Sequence, residues 1–155
     1  GQLASKYADF VVNELLPFIK KKSGVRSFHT VSIAGSGMAG VSALDIGWDN
    51  WQKFDKVGFL SGVTNSNSKV DFSMLAEKIS KSRKRPKIQF WLSRTGDMKD
   101  SQSNDSTSME HLFEVLKMKG QEQAVTRDEI ESDENRANSF GASFSQFLIW
   151  LNEKN

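Results

Sequence analysis

Short apolar runs alternate with segments of helical spacing along most of this 155-residue chain. The strand-like runs lie at Val31–Ala34, Val57–Leu60, Ile88–Leu92 and, more weakly, Gln123–Arg127. Four such alternations predict a mainly parallel sheet with helices on both faces. Ile88–Leu92 is apolar almost throughout, which is typical of a strand buried on two sides. We therefore expect a three-layer α/β/α fold of the α/β class, with about four strands in this chain.

The ends of several predicted helices can be recognised in the sequence. Apolar residues at helical spacing predict a helix over roughly 3–21, in which Pro17 is expected to kink the last turn. A helix over about 108–119 is expected to stop at Gly120, because glycine favours the left-handed conformation found after helix ends. The last predicted helix has an apolar face made of Phe140, Phe144, Phe147, Leu148 and Leu151.

Composition excludes several function classes. The chain has no Cys, which rules out disulfides, thiolate nucleophiles and cysteine metal sites. A formal net charge of +2 gives no reason to expect a nucleic acid as partner. No apolar run approaches the about 18 residues of a membrane span, and no zinc or calcium ligand spacing occurs. We expect one domain over residues 1–155, without metal, cofactor or membrane span.

The position of the first strand raises a topological problem. Val31–Ala34 leads into a glycine-rich turn and is expected in the middle of the sheet, yet no earlier segment of this chain predicts a strand to pair with its outer edge. An exposed strand edge promotes aggregation. We therefore expect that N-terminal strands are missing from this chain and are supplied by another segment or by a partner subunit.

The stretch Val31–Gly40 reads Val-Ser-Ile-Ala-Gly-Ser-Gly-Met-Ala-Gly and fits two different motifs. As G-x-G-x-x-G between a strand and a helix, Gly35, Gly37 and Gly40 would form the phosphate-binding turn of a dinucleotide-binding module. That module needs an acidic residue at the carboxyl end of the next strand, whereas Asp55 precedes that strand. As G-x-S-x-G, the stretch is a nucleophile elbow in which Gly37 occupies the serine position.

Three segments, in this order, resemble the esterase family of α/β-hydrolases that includes enterochelin esterases and esterase D. Asn13–Ile19 matches a helix ending in a Leu-Pro-aromatic-Ile pattern, Val31–Gly40 matches an elbow of the type Ile-Ala-Gly-Ser-Ser-Met-Gly-Gly, and Phe54–Gly62 matches a strand ending in Ser-Gly. The final helix, ending at Leu151, also matches in position. The resemblance implies a partial α/β-hydrolase-like fold, of which this chain is the C-terminal half, and this explains the missing strands.

The resemblance also implies where the groups of an ester hydrolase would lie, namely a serine nucleophile, a histidine base and an orienting acid. Gly37 is at the nucleophile position, where it tolerates the positive φ of an elbow but supplies no hydroxyl. Ser36 comes one residue too early, so its side chain is expected to point away from a substrate. The backbone N–H of Met38 would be one oxyanion donor.

The acid and base positions follow from the same resemblance. Asp97 matches the acid position, with Asp100 as the second candidate, and the base position falls near Asn135, where no His occurs. The two histidines, His29 and His111, are expected before the first strand and within a helix. With both nucleophile and base absent, the resemblance implies an esterase-like domain that is catalytically impaired and acts in binding or assembly.

Two other functions stay open. One is an active carboxylic-ester hydrolase that uses Ser36 and Asp97 with a base from another chain, and the other is the dinucleotide-binding module.

Three aromatic residues, Trp48, Trp51 and Phe54, recur every three residues after the glycine turn. They would either line a carbohydrate or aromatic site or pack on the sheet, and we favour packing on the sheet. A small ester or a carbohydrate is the ligand class that these patterns suggest.

A basic cluster precedes the third strand and consists of Lys81, Arg83, Lys84, Arg85 and Lys87. It would either bind phosphate or an acidic partner, or form a solvated helix end that complements the negative end of the helix dipole. We favour the second interpretation, because Pro86 is expected to stop the helix there.

Overall fold

The computed structural model describes residues 2–60, 70–96, 104–121, 125–131 and 136–153. Four strands form one parallel sheet in chain order: β1 (Ser32–Ser36), β2 (Lys56–Leu60), β3 (Gln89–Gly96) and β4 (Val125–Glu131). The predicted α/β class with four parallel strands is confirmed. β3 and β4 each continue four residues past their predicted ends and β1 continues two, and these additional residues pair with the neighbouring strands.

The helices flank these strands in the alternating order that the sequence predicts. They are α1 (Gln2–Asp9), a π-helical segment (Phe10–Leu15), α2 (Leu16–Ser23), α3 (Gly37–Asp49), α4 (Ser73–Lys81), α5 (Asn104–Leu116), a π-helical turn (Lys117–Gln121) and α6 (Arg136–Asn152). Gly120 adopts a φ of 81° after α5, as its position predicts. Among the residues that the structure describes, no helix is both long and apolar enough to cross a membrane.

Strand side chains point alternately into two apolar layers, as the period of two requires. The larger layer joins α3, α4 and α5 to one face of the sheet, through Val57, Phe59, Phe90 and Leu92. The smaller layer lies under α6 on the other face and consists of Leu60, Trp91, Phe147 and Trp150. The three layers that the sequence predicts are therefore present, with α6 alone on its face among the described helices.

The N-terminal helical region differs from the prediction at Pro17. Instead of a kinked last turn, α1 widens into the π-helical segment before Pro17, and α2 then continues to Ser23. The amide of Leu16 reaches back to the carbonyl of Val11, a five-residue step. Proline has no N–H and its ring crowds the carbonyl four residues earlier, so a wider preceding turn relieves this contact. Val11 is buried in the larger layer, which places this helical region on the face of α3.

The predicted apolar face of α6 is partly wrong. Phe147 is buried as expected, but Phe144 and Leu148 are 42% and 43% exposed, and Trp150 is buried instead. The face that meets the sheet includes Ser143, Phe147 and Trp150. The hydroxyl of Ser143 lies 2.5 Å from that of Ser93 on β3, and both serines are fully buried. A small residue at this point lets α6 approach the sheet closely, which a count of apolar residues does not reveal.

Candidate functional site

The candidate site is the sharp turn where β1 passes directly into α3. Ser36 ends the strand in an extended conformation, with φ −116° and ψ 153°, and it makes no side-chain cap to the helix. Gly37, the first residue of α3, has a φ of +55°. Residues with a Cβ pay roughly 1–2 kcal/mol in this left-handed region, whereas glycine does not. The backbone therefore has the shape of a nucleophile elbow, with a glycine where its conformation is most demanding.

Two further glycines hold the strand and helix of this turn close together. A Cβ on Gly35 would lie 2.6 Å from the backbone carbon and oxygen of Ala39. A Cβ on Gly40 would lie 2.4 Å from a ring carbon of Phe59 and 2.6 Å from the carbonyl oxygen of Gly35. Real side chains essentially never approach this closely, so both positions are restricted to glycine by packing alone.

The side chains on either side of Gly37 differ in where they point. Ala34 and Ser36 are in register with Gly58 and Leu60 of β2, which face α6. Because paired residues of parallel strands share a face, the Ser36 side chain belongs to the α6 face and not to the tip of the turn. Met38 lies in the first turn of α3 with its side chain 62% exposed. Its N–H is among those that a helix leaves without an internal acceptor.

Comparison with protein-family models matches residues 1–151 to the family described as "Putative esterase". The chain belongs to this esterase family. A search of curated proteins finds no match. Among solved structures, the chain is similar to siderophore hydrolase EstB from Aspergillus nidulans, with a TM-score of 0.60 and 14% sequence identity. The match covers 93% of this chain and 57% of EstB, so the chain spans little more than half the length of that structure.

The predicted acid and base positions lie next to described elements in the chain order. Asp97 directly follows β3 in the sequence and Asn135 directly precedes α6. Both residues, with Asp100, lie outside the residues that the structure describes, so their roles stay predictions. His29 lies at the opposite, amino end of the sheet, beside Asp55, and His111 is exposed within α5. The structure thus places both histidines as the sequence predicts.

Asp55 has a structural contact that accounts for its position. Its carboxylate accepts a hydrogen bond of 2.7 Å from the backbone N–H of Val31, just before β1. This contact fixes Asp55 at the amino end of the sheet, whereas a ribose-binding acid would be needed at the carboxyl end, beside Gly37. The position predicted for Asp55 is confirmed, and it favours the elbow over a dinucleotide-binding turn.

The aromatic residues after α3 and the basic cluster have contacts within the fold. Trp48 and Phe54 are buried in the larger apolar layer and Trp51 packs against it, which confirms the packing interpretation. In the basic cluster, Lys84 forms an ion pair of 3.2 Å with Asp49. Other contacts are Lys81 with Glu77 and Arg85 with the carbonyl of Lys119. These contacts favour the interpretation of the cluster as a helix end.

Asp49 and Lys78 form a charge pair that bridges α3 and α4, and both of their pKa values are shifted. Lys78 donates to Asp45 at 2.5 Å and to Asp49 at 2.6 Å. Burial raises the pKa of Asp49, but hydrogen bonds and attraction from Lys78 and Lys84 outweigh it and hold the pKa below its ordinary value. Burial lowers the pKa of Lys78, and the two carboxylates outweigh this and raise it.

Sequence reasoning missed one important buried group, Lys56. It is 2% exposed at the start of β2, and its ammonium donates to the carbonyl oxygen of Trp150 at 2.8 Å and to that of Glu153 at 3.2 Å. The ammonium also lies 4.8 Å from the centre of the Trp150 ring. Lys56 therefore satisfies the C-terminal carbonyls of α6 and complements the helix dipole there. A lysine directly before an apolar run was the available signal.

Proposed function

We propose that this chain is an esterase-like domain whose acyl-transfer chemistry is impaired and which acts in binding or assembly. In this proposal, residues 1–155 form the C-terminal half of an α/β-hydrolase domain, and an N-terminal half or a partner chain completes the sheet. The observation that carries the proposal is Gly37, which has the positive φ of an elbow nucleophile but no hydroxyl. A small ester or a carbohydrate is the proposed ligand class.

The chemistry of ester hydrolysis explains why the missing hydroxyl at position 37 matters. Acyl transfer of this type needs a hydroxyl at the tip of the turn and a base within hydrogen-bond reach of it. The base alone contributes about 10²–10⁴-fold to the rate. Ser36 has a hydroxyl, but its place in β1 puts the side chain on the α6 face of the sheet. His29 lies at the amino end of the sheet, opposite the end at which Gly37 lies, and His111 is exposed on α5.

A covalent probe tests the proposal. The chain is incubated with a fluorophosphonate and, separately, with a p-nitrophenyl acyl ester, beside an active serine esterase as positive control. We expect no adduct by mass spectrometry and no turnover above the buffer rate. The matched variant is Ser36→Ala: a stoichiometric adduct on the wild-type chain that this variant abolishes would establish the active-esterase alternative and end the proposal.

A ligand titration tests the dinucleotide alternative. A ligand present at 100 times its dissociation constant stabilises the folded state by about 2.7 kcal/mol, which is a measurable rise in melting temperature. We expect NAD and FAD to leave the melting temperature unchanged. A rise that Gly37→Ala removes would favour nucleotide binding at this turn over the esterase-like function.

A further inference from the structure

The amino end of the sheet carries a charge unlike that of the chain as a whole. In a parallel sheet, every link from a helix to the next strand lies at this end. Segment 17–31, which leads into β1, and segment 82–88, which leads into β3, together contain eight Lys and Arg residues and no Asp or Glu. The whole chain has a formal net charge of only +2, so the remaining residues are net acidic. Positive charge is therefore concentrated at one end of the molecule.

Backbone hydrogen bonds place the two basic segments close together. The N–H of Asp55 donates to the carbonyl of Val31 at 2.8 Å, and the N–H of Gln89 donates to the carbonyl of Asp55 at 2.9 Å. Segment 17–31 ends at Val31 and segment 82–88 directly precedes Gln89, so only the link into β2 separates them. We call their eight exposed basic residues the basic edge: Lys20, Lys21, Lys22, Arg26, Arg83, Lys84, Arg85 and Lys87.

Most of the charge in the basic edge is not neutralised within the fold. Lys84 is paired with Asp49, and Arg85 donates to the carbonyl of Lys119. The other six members form no ion pair with a carboxylate of the described residues. Exposed cations without a carboxylate partner retain their attraction for an external anion. The basic edge can therefore hold a surface that presents many negative charges.

Two exposed apolar side chains lie among these cations. Val25 and Phe28 are 42% and 37% exposed in the link between α2 and β1. The link begins at Gly24, whose φ of +70° ends α2 directly after the turn that carries Lys20, Lys21 and Lys22. Cations beside exposed aromatic and aliphatic residues are typical of surfaces that lie in the interface of a bilayer. A nucleic-acid backbone would use the same charges but would give Val25 no apolar surroundings.

We propose that the basic edge, with Val25 and Phe28, is a docking surface for an anionic lipid bilayer. The Lys and Arg side chains contact the charged headgroups, while Val25 and Phe28 enter the boundary between headgroups and acyl chains. Gly37 lies at the carboxyl end of the sheet, so a chain docked in this way directs the elbow turn away from the membrane. This inference goes beyond the proposed function and does not depend on it.

Vesicle binding tests the contribution of the charges. The chain is sedimented with phosphatidylcholine vesicles that contain or lack phosphatidylglycerol. We expect binding only where phosphatidylglycerol is present, and weaker binding at high salt, because salt screens exposed charges. Lys21→Gln should lower the affinity about fivefold, since a cation near an anionic membrane contributes about that much. The matched control is Lys6→Gln, which removes an exposed charge from α1, at the other end of the helical region, and should change the affinity far less.

The absence of Cys allows a second measurement, of orientation. Phe28→Cys is labelled with an environment-sensitive fluorophore, and Val25→Cys gives the same readout if Phe28→Cys fails to fold. The matched control is labelled Met74→Cys, because Met74 is 82% exposed in the first turn of α4, at the carboxyl end of the sheet. With phosphatidylglycerol vesicles we expect a blue shift, and quenching by lipids spin-labelled in the acyl chain, at position 28 or 25 but not at position 74.

Several results would overturn the proposal. Equal binding to vesicles without phosphatidylglycerol, or an equal loss of affinity in Lys21→Gln and Lys6→Gln, would show that the basic edge is not the contact. The absence of a blue shift at positions 25 and 28 would refute the insertion of these side chains. Tighter binding to double-stranded RNA than to the vesicles would identify a nucleic-acid backbone as the partner instead. A fluorophosphonate adduct would refute only the proposed function.

Discussion

Replacing Gly37 by alanine should destabilise the chain, because the elbow turn holds this residue at a φ of +55°. A Cβ in the left-handed region costs about 1–2 kcal/mol, since it crowds the following carbonyl oxygen. For a chain of about 150–250 residues, 1 kcal/mol lowers the melting temperature by about 2–4 °C. We therefore expect Gly37→Ala to lower the free energy of unfolding by about 1–2 kcal/mol.

Two other glycines provide matched controls for the same chemical change. Gly141 lies in α6 without a positive φ, and no neighbouring atom comes within 4 Å of the place that a Cβ would occupy. Gly141→Ala should stabilise by about 0.5–1 kcal/mol, because alanine is the better helix former. Gly24 is equally open but has a φ of +70°, so Gly24→Ala should destabilise by about 1 kcal/mol through its backbone alone.

Urea unfolding followed by circular dichroism gives the three free energies under one set of conditions. Gly141→Ala should raise the free energy of unfolding and Gly37→Ala should lower it. Gly24→Ala should lower it as well. If Gly37→Ala were as stable as the wild type while Gly24→Ala lost stability, the turn would not impose a left-handed conformation at residue 37. The elbow assignment, and the proposed function with it, would then fail.

Three further outcomes follow from contacts far from the turn. Lys56→Met should cost about 2–3 kcal/mol in urea unfolding, because charge-assisted hydrogen bonds to the α6 carbonyls are lost; unchanged stability would contradict this role. Ser93→Ala and Ser143→Ala should each lower the free energy of unfolding by about 1–3 kcal/mol, since each change leaves a buried hydroxyl without its partner. The double variant should lose less than the sum of the two, and strict additivity would show that the hydroxyls are not coupled. The lowered pKa of Asp49 stabilises the fold above the ordinary carboxylate value near pH 4, and this contribution disappears as the pH falls through the lower folded pKa. Asp49→Asn should therefore flatten the acid limb of the stability curve and cost about 0.2–1 kcal/mol at pH 7, and an unchanged acid limb would refute the shift.

Local patterns were sufficient to predict a parallel four-stranded sheet and the turn after its first strand. The apolar runs predicted β2 and the start of β3 to within one residue, although β3 continues four residues past its predicted end. The glycines around Ser36 marked the strand–helix junction. The pattern placed the end of β1 two residues too early, because Gly35 and Ser36 have low strand propensity. Pairing with Phe59 and Leu60 of β2 extends the strand through both residues. Here the partner strand decides the bound, and a single-strand pattern contains no information about it.

The contacts of α6 could not be predicted in the same way. Its sequence has apolar residues on more than one side, so periodicity alone does not show which side meets the sheet. Ser143, against Ser93 of β3, sets the closest approach, and Trp150 rather than Leu148 then packs inward. Lys56 anchors the helix end across more than 90 residues of sequence. Such long-range contacts combine polar and apolar groups that a sequence pattern treats as separate.

The shape of the elbow turn has a cause that is independent of catalysis. Gly35 and Gly40 are restricted by contacts with Ala39 and Phe59, and these contacts hold β1 against α3 whether or not a hydroxyl occupies position 37. Phe59 is in turn buried in the larger apolar layer, so changing the turn would disturb the core. The packing that shapes this turn is therefore part of the hydrophobic core of the fold. The backbone shape at position 37 does not depend on a hydroxyl, because the turn holds its left-handed conformation with glycine there.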